Sequence, residues 1–250
     1  MKKLSIITVC LNAPKLELTC ESIVNQTFQE FEWIVIDGGS NEQTLAILEK
    51  YKHRMDYFVS EKDNGAYFAM NRGIIQASGE WLNFMNASDR FSNTSVLENV
   101  FSKIQEYDPY DVLYGDYIRE YESKNIHICF QDEESLDDNF FVVNNVHHQA
   151  LFTKKYALIR QGLYDTQYKI LADHKMQLEL YLCGYKFKHI HEFIDIYDTS
   201  GLSSTRLALK EEERAGLLRQ HFSDDEIERA SKRVRRAFVL SSIREMRQRK

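Results

Sequence analysis

The 250-residue chain has few cysteines and no long apolar run. Its four cysteines show no CxxC or CxH spacing, which gives little support to a zinc or redox site. The apolar run after Met1 is too short for the core of a signal peptide, and no stretch approaches the ~20 apolar residues that span a bilayer. We therefore expect a cytoplasmic protein that does not cross a membrane by itself.

The net charge of −6 is unevenly distributed along the chain. Residues 229–250 contain nine Lys or Arg against one acid, a charge of +8, so the remainder carries −14. The acidic remainder would repel a phosphate backbone, which argues against nucleic-acid binding. An apolar stripe predicts an amphipathic helix in the basic tail. This helix would either lie on an anionic membrane surface or pack on the body or on a second subunit. The stripe consists of Ile227, Ala230, Val234, Phe238 and Ser241.

Strands and helices alternate in the first part of the chain. A short, continuous β-branched run predicts a buried strand at residues 4–9, and further strands are predicted at 31–36, 55–59 and 81–85. Apolar residues at helical spacing predict helices at 14–26, after a cap at Ser40 or Asn41, at 65–77 and at 97–104. Such alternation is typical of an α/β fold with a mainly parallel sheet and crossover helices.

The second half shows a different pattern. It predicts strands at residues 111–117, 125–130, 186–190 and 193–197, a loop at 132–138 and a helix at 171–183. We expect these elements to continue the same sheet. There are no internal repeats and no low-complexity segments.

A loop with polar groups suited to a nucleotide diphosphate recurs five times in the first ninety residues, each time after a strand-like run. In an open α/β sheet, ligands bind beyond the carboxyl ends of the strands, so one ligand can meet several of these loops. The loops are residues 8–12, 37–40, 61–65, 71–73 and 86–89.

Taken together, the motifs resemble the family-2 inverting glycosyltransferases, close to small bacterial enzymes of capsule, O-antigen or colanic-acid type. The resemblance covers roughly residues 1–205. It implies the GT-A fold, a Rossmann-like α/β fold with a mixed, mainly parallel sheet flanked by helices, here followed by a C-terminal helical tail. The matching stretches are residues 5–9 with Asn12, 35–40, 60–89, 148–150, 171–173 and 197–203.

The resemblance also implies a domain division and an activity. Residues 1–205 form the GT-A domain, with a nucleotide-sugar-binding half at 1–108 and an acceptor-side half at 109–205, and 206–250 form the basic tail. A single sugar moves with inversion from a nucleotide-diphosphate sugar, UDP by resemblance, to a glycan or lipid-linked acceptor in cell-surface polysaccharide synthesis. Processive relatives typically add membrane spans and a Gln-x-x-Arg-Trp motif, which this chain lacks. The lipid-linked acceptor implies a place at the inner face of the cytoplasmic membrane.

Asp89 is the candidate ligand for a divalent metal, Mn²⁺ or Mg²⁺, that neutralises the diphosphate. Such hard cations take oxygen ligands, commonly one or two carboxylates plus phosphates and water. The family usually carries more aspartates in this DXD stretch, whereas Asn86 and Ser88 stand here and are assigned to the donor sugar or acceptor. The alternative is that Asp89 caps the following helix.

The nucleotide positions follow from the same resemblance. Asp37 is expected at the uracil or ribose edge, although a turn before two glycines also favours an aspartate there. Arg72 is expected to support the nucleotide, with ordinary helix-surface polarity as the alternative. The full nucleotide-binding set is Thr8, Val9, Asn12, Asp37, Ser40, Asp63, Gly65, Asn71 and Arg72.

Asp173 is the candidate general base that accepts the proton of the acceptor hydroxyl. A helix N-terminus would keep its carboxylate ionised, and the alternative is an aspartate that only stabilises that helix end. His148 and Gln149 resemble residues that line the donor sugar or acceptor. Gly201 and Ser203 resemble a mobile loop that closes over the diphosphate, with a plain surface loop as the alternative.

Two other functions compete with the transferase. A sugar-phosphate nucleotidyltransferase usually has a Gly-rich, Arg-containing loop after its first strand, whereas residues 10–14 read Cys-Leu-Asn-Ala-Pro. An inactive module that binds a nucleotide sugar or a partner would have no physical need for both Asp89 and Asp173. The transferase is therefore favoured.

Overall fold

The computed structural model describes residues 2–121, 126–129, 131, 136–199 and 206–233. Gly201 and Ser203, predicted to form a mobile loop, lie outside these residues. The part of the basic tail after Arg233, with most of its predicted apolar stripe, also lies outside them.

Nine strands of the described residues form one mixed sheet. They are β1 (Leu4–Cys10), β2 (Phe31–Asp37), β3 (Tyr57–Ser60), β4 (Trp81–Phe84), β5 (Arg90–Phe91), β6 (Val112–Glu120), β7 (Ile126–Cys129), β8 (Leu151–Lys154) and β9 (Phe187–Asp198). Their order is β3-β2-β1-β4-β8-β6-β9-β5, and β7 pairs with β6. The strands β1 to β4 are parallel to one another, as are β6 and β9. The strands β5, β7 and β8 pair antiparallel to their neighbours.

Helices flank this sheet and connect its parallel strands. They are α1 (Leu16–Val24), α2 (Glu42–Tyr51), α3 (Ala66–Gln76), α4 (Val96–Phe101), α5 (Asp138–Val143), α6 (Lys155–Arg160), α7 (Ala172–Leu182) and α8 (Leu207–His221). Residues 224–233 are also helical. Of the two caps predicted for α2, Asn41 is the one used, because its side chain accepts a hydrogen bond from the Thr44 N–H. Within the part of the chain described, no helix is both long enough and apolar enough to span a membrane.

Both faces of the central parallel strand β1 are buried. In β1, Leu4 and Ile6 belong to one apolar cluster, whereas Ile7 and Val9 belong to a second cluster on the opposite face. Such burial explains why β1 reads as a nearly continuous apolar run, as is usual for parallel strands covered by helices. The predicted strands of the first half are thus confirmed, with boundaries that differ by one or two residues.

The two strands predicted at residues 186–190 and 193–197 are wrong as separate elements, because β9 is one long strand. Its pairing with β6 shifts register around Gly115 and Asp116. A Cβ on Gly115 would clash with the Glu192 carbonyl oxygen, so the two backbones approach closely here. The resulting irregularity interrupts the apolar pattern from which strands are predicted.

The prediction also missed four short elements and misjudged one helix. The strands β5 and β8 and the helices α5 and α6 are each only two to six residues long, too short for a clear period. The helix predicted at 97–104 ends as α-helix at Phe101, and a 3₁₀ turn, Ile104–Tyr107, follows it. Part of the predicted loop at 132–138 is undescribed, and α5 begins at its last residue.

The packing of α3 on β1 gives a test of the fold. We expect Gly73→Ala to lower the free energy of unfolding by about 1–3 kcal/mol, because the new Cβ would lie 2.5 Å from Ile7 Cγ2 in a buried strand. Gly216→Ala on α8 is the control, since no atom lies within 4 Å of its added Cβ. The free energy of unfolding of this control variant should rise by roughly 0.5–1 kcal/mol, because Ala has a higher helix propensity than Gly. Urea unfolding measures both, and the same sign for both variants would contradict the packing.

Candidate active site

A cavity of about 1380 Å³, here called the central cavity, lies beyond the carboxyl ends of β1 and β4. The register aligns Cys10 of β1 with Asp37 of β2, and Asp37 with Ser60 of β3, so these strands end at one edge of the sheet. The cavity walls combine the loops after β1 and β4 with segments from the second half of the chain. The lining residues are 9–14, 63, 65–67, 69–70, 86–89, 144–149, 169–171 and 173, with further side chains from β6, β9 and α8.

Asp89 is buried in the cavity wall, with 4% of its surface exposed. Its Oδ1 accepts a hydrogen bond from the Asp198 N–H at 2.9 Å, and its Oδ2 accepts one from Gln149 Nε2 at 2.6 Å. Burial raises the pKa of Asp89 well above its usual range, and the neighbouring Asp195 carboxylate acts in the same direction. These contacts exclude the alternative in which Asp89 serves as a helix cap.

Asn86 and Ser88 also line the cavity beside Asp89. The Oδ1 atom of Asn86 is buried, and no described residue donates a hydrogen bond to it. Ser88 has a φ of 84°, and its N–H donates to Thr19 Oγ1 at 2.9 Å. The loop therefore places one buried carboxyl and one unpartnered amide oxygen close together in the sequence at the cavity.

Asp37 is fully buried and does not line the central cavity. Its carboxylate accepts hydrogen bonds from the Ser40 hydroxyl and N–H, from the Ser60 hydroxyl at 2.6 Å and from Cys10 Sγ at 3.4 Å. Burial acts to raise the pKa of Asp37, but these hydrogen bonds outweigh burial and lower it. Asp37 thus fixes the turn after β2 from behind the cavity wall.

The turn after β2 also holds the loop after β1 in place. The Asn12 N–H donates to Ser40 Oγ, and Asn12 Oδ1 accepts from the Asn41 N–H, both at 2.8 Å. Asn12 has a φ of 50° and lines the cavity, as does Val9, whereas Ser40 does not. Thr8 is buried, and its Oγ1 accepts a hydrogen bond from Trp33 Nε1 at 3.0 Å.

The remaining predicted nucleotide positions divide into two groups. Asp63 and Gly65 line the cavity, and Asp63 Oδ1 accepts a hydrogen bond from the Gly65 N–H at 2.9 Å. Neither Asn71 nor Arg72 lines it. The Asn71 side chain makes two hydrogen bonds to the Tyr164 backbone, and Arg72 pairs with an exposed glutamate at 2.7 Å.

Asp173 lies in the first turn of α7, as predicted, and faces the central cavity. The Tyr67 hydroxyl of α3 lies 2.8 Å from Asp173 Oδ1 and 2.6 Å from the Ile170 carbonyl oxygen, so its single proton is shared between two acceptors. Burial raises the pKa of Tyr67 well above its usual value, and the Asp173 charge adds to this. Tyr67 therefore stays neutral and holds one oxygen of Asp173 in place.

His148 and Gln149 also line the cavity. The His148 imidazole stacks on Phe84 with ring centroids 5.0 Å apart, and its Nε2 lies 2.9 Å from the Tyr164 hydroxyl. Burial lowers the pKa of His148, which keeps the ring neutral at pH 7. Gln149 reaches Asp89 directly, as described above.

The sequence predicts no role for a cluster formed by His147, Tyr117 and Asp195, of which the first two line the cavity. His147 Nε2 lies 3.1 Å from Asp195 Oδ2, and the His147 ring stacks on Tyr117 at 3.9 Å. Asp195 is fully buried, and no described residue donates a hydrogen bond to its Oδ1. His147 lies in a loop, Tyr117 in β6 and Asp195 in β9. No spacing within one segment of the sequence therefore predicts that the three residues contact one another.

The chain matches the model described as glycosyl transferase family 2 over residues 5–160. It is 32% identical over 208 residues to a PGL/p-HBAD biosynthesis glycosyltransferase of Mycobacterium bovis, covering 80% of this chain and 79% of that protein. The chain belongs to glycosyl transferase family 2, so the predicted family is confirmed.

Solved structures share the fold. The structure of S. aureus TarS 1-349 in complex with UDP-GlcNAc aligns with a TM-score of 0.70 and 19% identity, over 91% of this chain and 70% of that one. Against another TarS structure, the chain spans 60% of that protein. The mannosyltransferase PcManGT from Pyrobaculum calidifontis, in complex with GDP-Man and Mn²⁺, aligns with a TM-score of 0.67 and 14% identity, over 92% of this chain and 68% of that one. The predicted GT-A fold is confirmed.

The buried Asp89 carboxyl predicts a pH dependence of stability in EDTA-treated protein. Its pKa is higher in the folded than in the unfolded chain, where it is about 3.9. The folded state therefore binds this proton more tightly, and the contribution to stability is present at low pH and lost as pH rises through the folded-state pKa.

We expect Asp89→Asn to remove this loss, so the variant gains stability relative to the wild type as pH increases from 4 to 8. Urea unfolding across that range measures the difference. Two parallel stability profiles would contradict the raised pKa.

Proposed function

We propose that this glycosyltransferase moves a single sugar, with inversion, from a nucleotide-diphosphate sugar to a glycan or lipid-linked acceptor in cell-surface polysaccharide synthesis. The observation that carries the proposal is the placement of two acids, Asp89 and Asp173, on the wall of one cavity at the carboxyl edge of the sheet. The TarS complex with UDP-GlcNAc supports a UDP-sugar donor. The PcManGT complex leaves GDP as the second nucleotide to test.

The nucleotide enters between the loops after β1 and β3. Asn12, Asp63 and Gly65 present backbone and side-chain groups to the cavity there. Gly65 immediately precedes α3 and has a φ of 128°, a conformation that favours glycine. Because glycine has no Cβ, the backbone can approach the nucleotide closely at this position. Asp37, Ser40 and Thr8 act behind this surface by holding the two loops, and Asn71 and Arg72 act at a greater distance from it.

The residues around Asp89 fit a divalent cation, Mn²⁺ or Mg²⁺. Hard cations prefer oxygen ligands, and this loop offers the Asp89 carboxyl and the unpartnered Asn86 Oδ1. When bound, the cation neutralises the diphosphate leaving group. Asp89 would have to release its proton to act as a ligand, because burial raises its pKa in the free protein.

Asp173 accepts the proton of the acceptor hydroxyl as that oxygen attacks the sugar carbon. The attack comes from the face opposite the leaving diphosphate, which inverts the configuration at that carbon. Tyr67 holds Asp173 Oδ1 at 2.8 Å and leaves the other oxygen to the acceptor. Neutral His148, with Gln149 and Ser88, orients the sugar between the two acids.

The domain division completes this proposal. Residues 1–108 hold the nucleotide sugar, 109–205 form the acceptor side, and 206–250 form a basic helical tail. The nine basic residues in 229–250 support either contact with an anionic membrane surface, at the inner face of the cytoplasmic membrane, or homodimerisation.

Release of nucleoside diphosphate tests the activity. The full chain would be incubated with UDP-glucose, UDP-galactose, UDP-GlcNAc and GDP-mannose, with Mn²⁺ or with EDTA. In the absence of acceptor, water takes its place and the donor is slowly hydrolysed. Metal-dependent release from one donor is the expected result, whereas no release from any donor would favour an inactive binding module.

With the accepted donor, Asp173→Asn should lower the rate of diphosphate release by about 10²–10⁴-fold, because the base is lost. The affinity for the nucleoside diphosphate should stay unchanged, since position 173 lies outside the nucleotide loops and the amide oxygen of the variant still accepts from Tyr67. The control is Asp165→Asn, which breaks an ion pair with Lys175 outside the cavity wall. Full activity of the Asp173 variant would rule out this base.

A further inference from the structure

The helix α8 contributes to the central cavity, although the sequence groups it with the tail. Leu217 and Leu218 of α8 are buried, and they pack in clusters with Phe141 and Val142 of α5. The Glu213 carboxylate accepts hydrogen bonds from three consecutive backbone N–H groups, those of residues 169–171, at 2.6 to 3.0 Å. These contacts fix α8 against the segment that leads into α7 and Asp173.

Three cations line the cavity from this side. Lys210 and Arg214 come from α8, and Lys169 comes from the segment that Glu213 holds. Burial lowers the pKa of His174, the neighbour of Asp173, to about 4, and the charges of Arg214 and Lys210 also act to lower it. The two cations therefore lie close to the N-terminal turn of α7.

These cations have no carboxylate partner within 4.0 Å among the described residues. Arg214 donates to the Val143 carbonyl oxygen, but its buried Nε has no hydrogen-bond partner in the described part of the chain. Lys169 Nζ lies 3.5 Å from a carbonyl oxygen, that of Thr166. Burial lowers the pKa of Arg214, and the charge of Glu211 offsets this only in part, so an anionic ligand would stabilise this wall.

Three of the four acids that line the cavity lie away from these cations. Asp89 and Asp198 meet at the end of β9, where Asp198 also pairs with Lys15 at 2.5 Å, and Asp63 belongs to the loop after β3. Asp173 is the acid of the α8 side. The cavity thus presents an acidic wall, suited to a metal-bound diphosphate, and a separate basic wall beside the proposed base.

We infer that Lys169, Lys210 and Arg214 bind a phosphate group of the acceptor, so that α8 selects phosphate-bearing acceptors over neutral sugars. This inference rests on the proposed function, because it assigns the basic wall to the acceptor rather than to the donor diphosphate. Guanidinium and ammonium groups make charge-assisted hydrogen bonds to phosphate, which are about twice as strong as neutral ones.

The test compares hexose 1-phosphates with the same free hexoses (glucose, galactose and mannose) on the full chain. Dissociation constants would be measured by ligand-observed NMR with saturating UDP and diamagnetic Mg²⁺, which block the donor site, and in parallel without them. We expect at least one hexose 1-phosphate to bind about tenfold or more tightly than its free hexose. Lys210→Gln and Lys169→Gln should each weaken this preference several-fold and leave the UDP dissociation constant unchanged.

Arg219→Gln is the matched control, since it removes one positive charge from the same helix at a side chain that is 67% exposed and outside the cavity wall. Lys210→Arg should keep the preference, and Arg214→Lys tests the third cation while retaining its charge. Equal binding of phosphorylated and free hexoses by the wild type would overturn the inference. Weakened UDP binding in the Lys210 and Lys169 variants would also overturn the inference, because these cations would then bind the donor rather than the acceptor. If UDP does not bind the wild type, the proposed function fails, and the measurements without UDP still test the basic wall.

Discussion

The hydrogen bonds of the buried Asp89 carboxyl connect parts of the chain that are far apart in sequence. Asp89 follows β4, Gln149 precedes β8, and Asp198 ends β9. A carboxyl group removed from water is costly unless it is hydrogen-bonded, so the fold has to supply both partners at this point. The loop at the end of the parallel strands is thereby fixed relative to the antiparallel β8 and the long β9.

A second connection lies on the other side of the cavity, where Tyr67 of α3 joins Asp173 and the Ile170 carbonyl oxygen at the start of α7. The nucleotide-side helix is thus tied to the helix that carries the proposed base. With both connections in place, Asp89 and Asp173 keep a fixed separation. A displacement reaction needs such a separation, because the attacking hydroxyl and the leaving diphosphate must lie on opposite faces of one sugar carbon.

Much of the fold could be predicted because its signals are local. The apolar runs of β1, β3 and β4 and the polar loops after them place Asn12, Asp63 and Asp89 at one edge, and all three line the cavity there. The position of Asp173 in the first turn of a helix also follows from its local sequence. Short elements such as β8 carry no period, and the register shift in β9 depends on a close approach to Gly115 from another strand.

The rest of the site depends on contacts that no single sequence reveals. Asp37 stands before two glycines, as a ligand-binding aspartate would, yet Ser60 from the next strand and Cys10 from the previous one enclose its carboxylate. Likewise, α8 carries no sign of its role, because Glu213 finds its partners more than forty residues earlier in the chain. Burial and non-local hydrogen bonds thus decide which polar residues face the central cavity.

We propose above that the central cavity binds a nucleoside diphosphate together with a divalent metal. Calorimetric titration of the full chain with UDP, GDP and dTDP, each with and without Mn²⁺, tests it most directly. We expect one of the three nucleotides, UDP, to bind, and we expect Mn²⁺ to strengthen its binding. Failure of all three to bind a protein shown by circular dichroism to be folded would contradict the account.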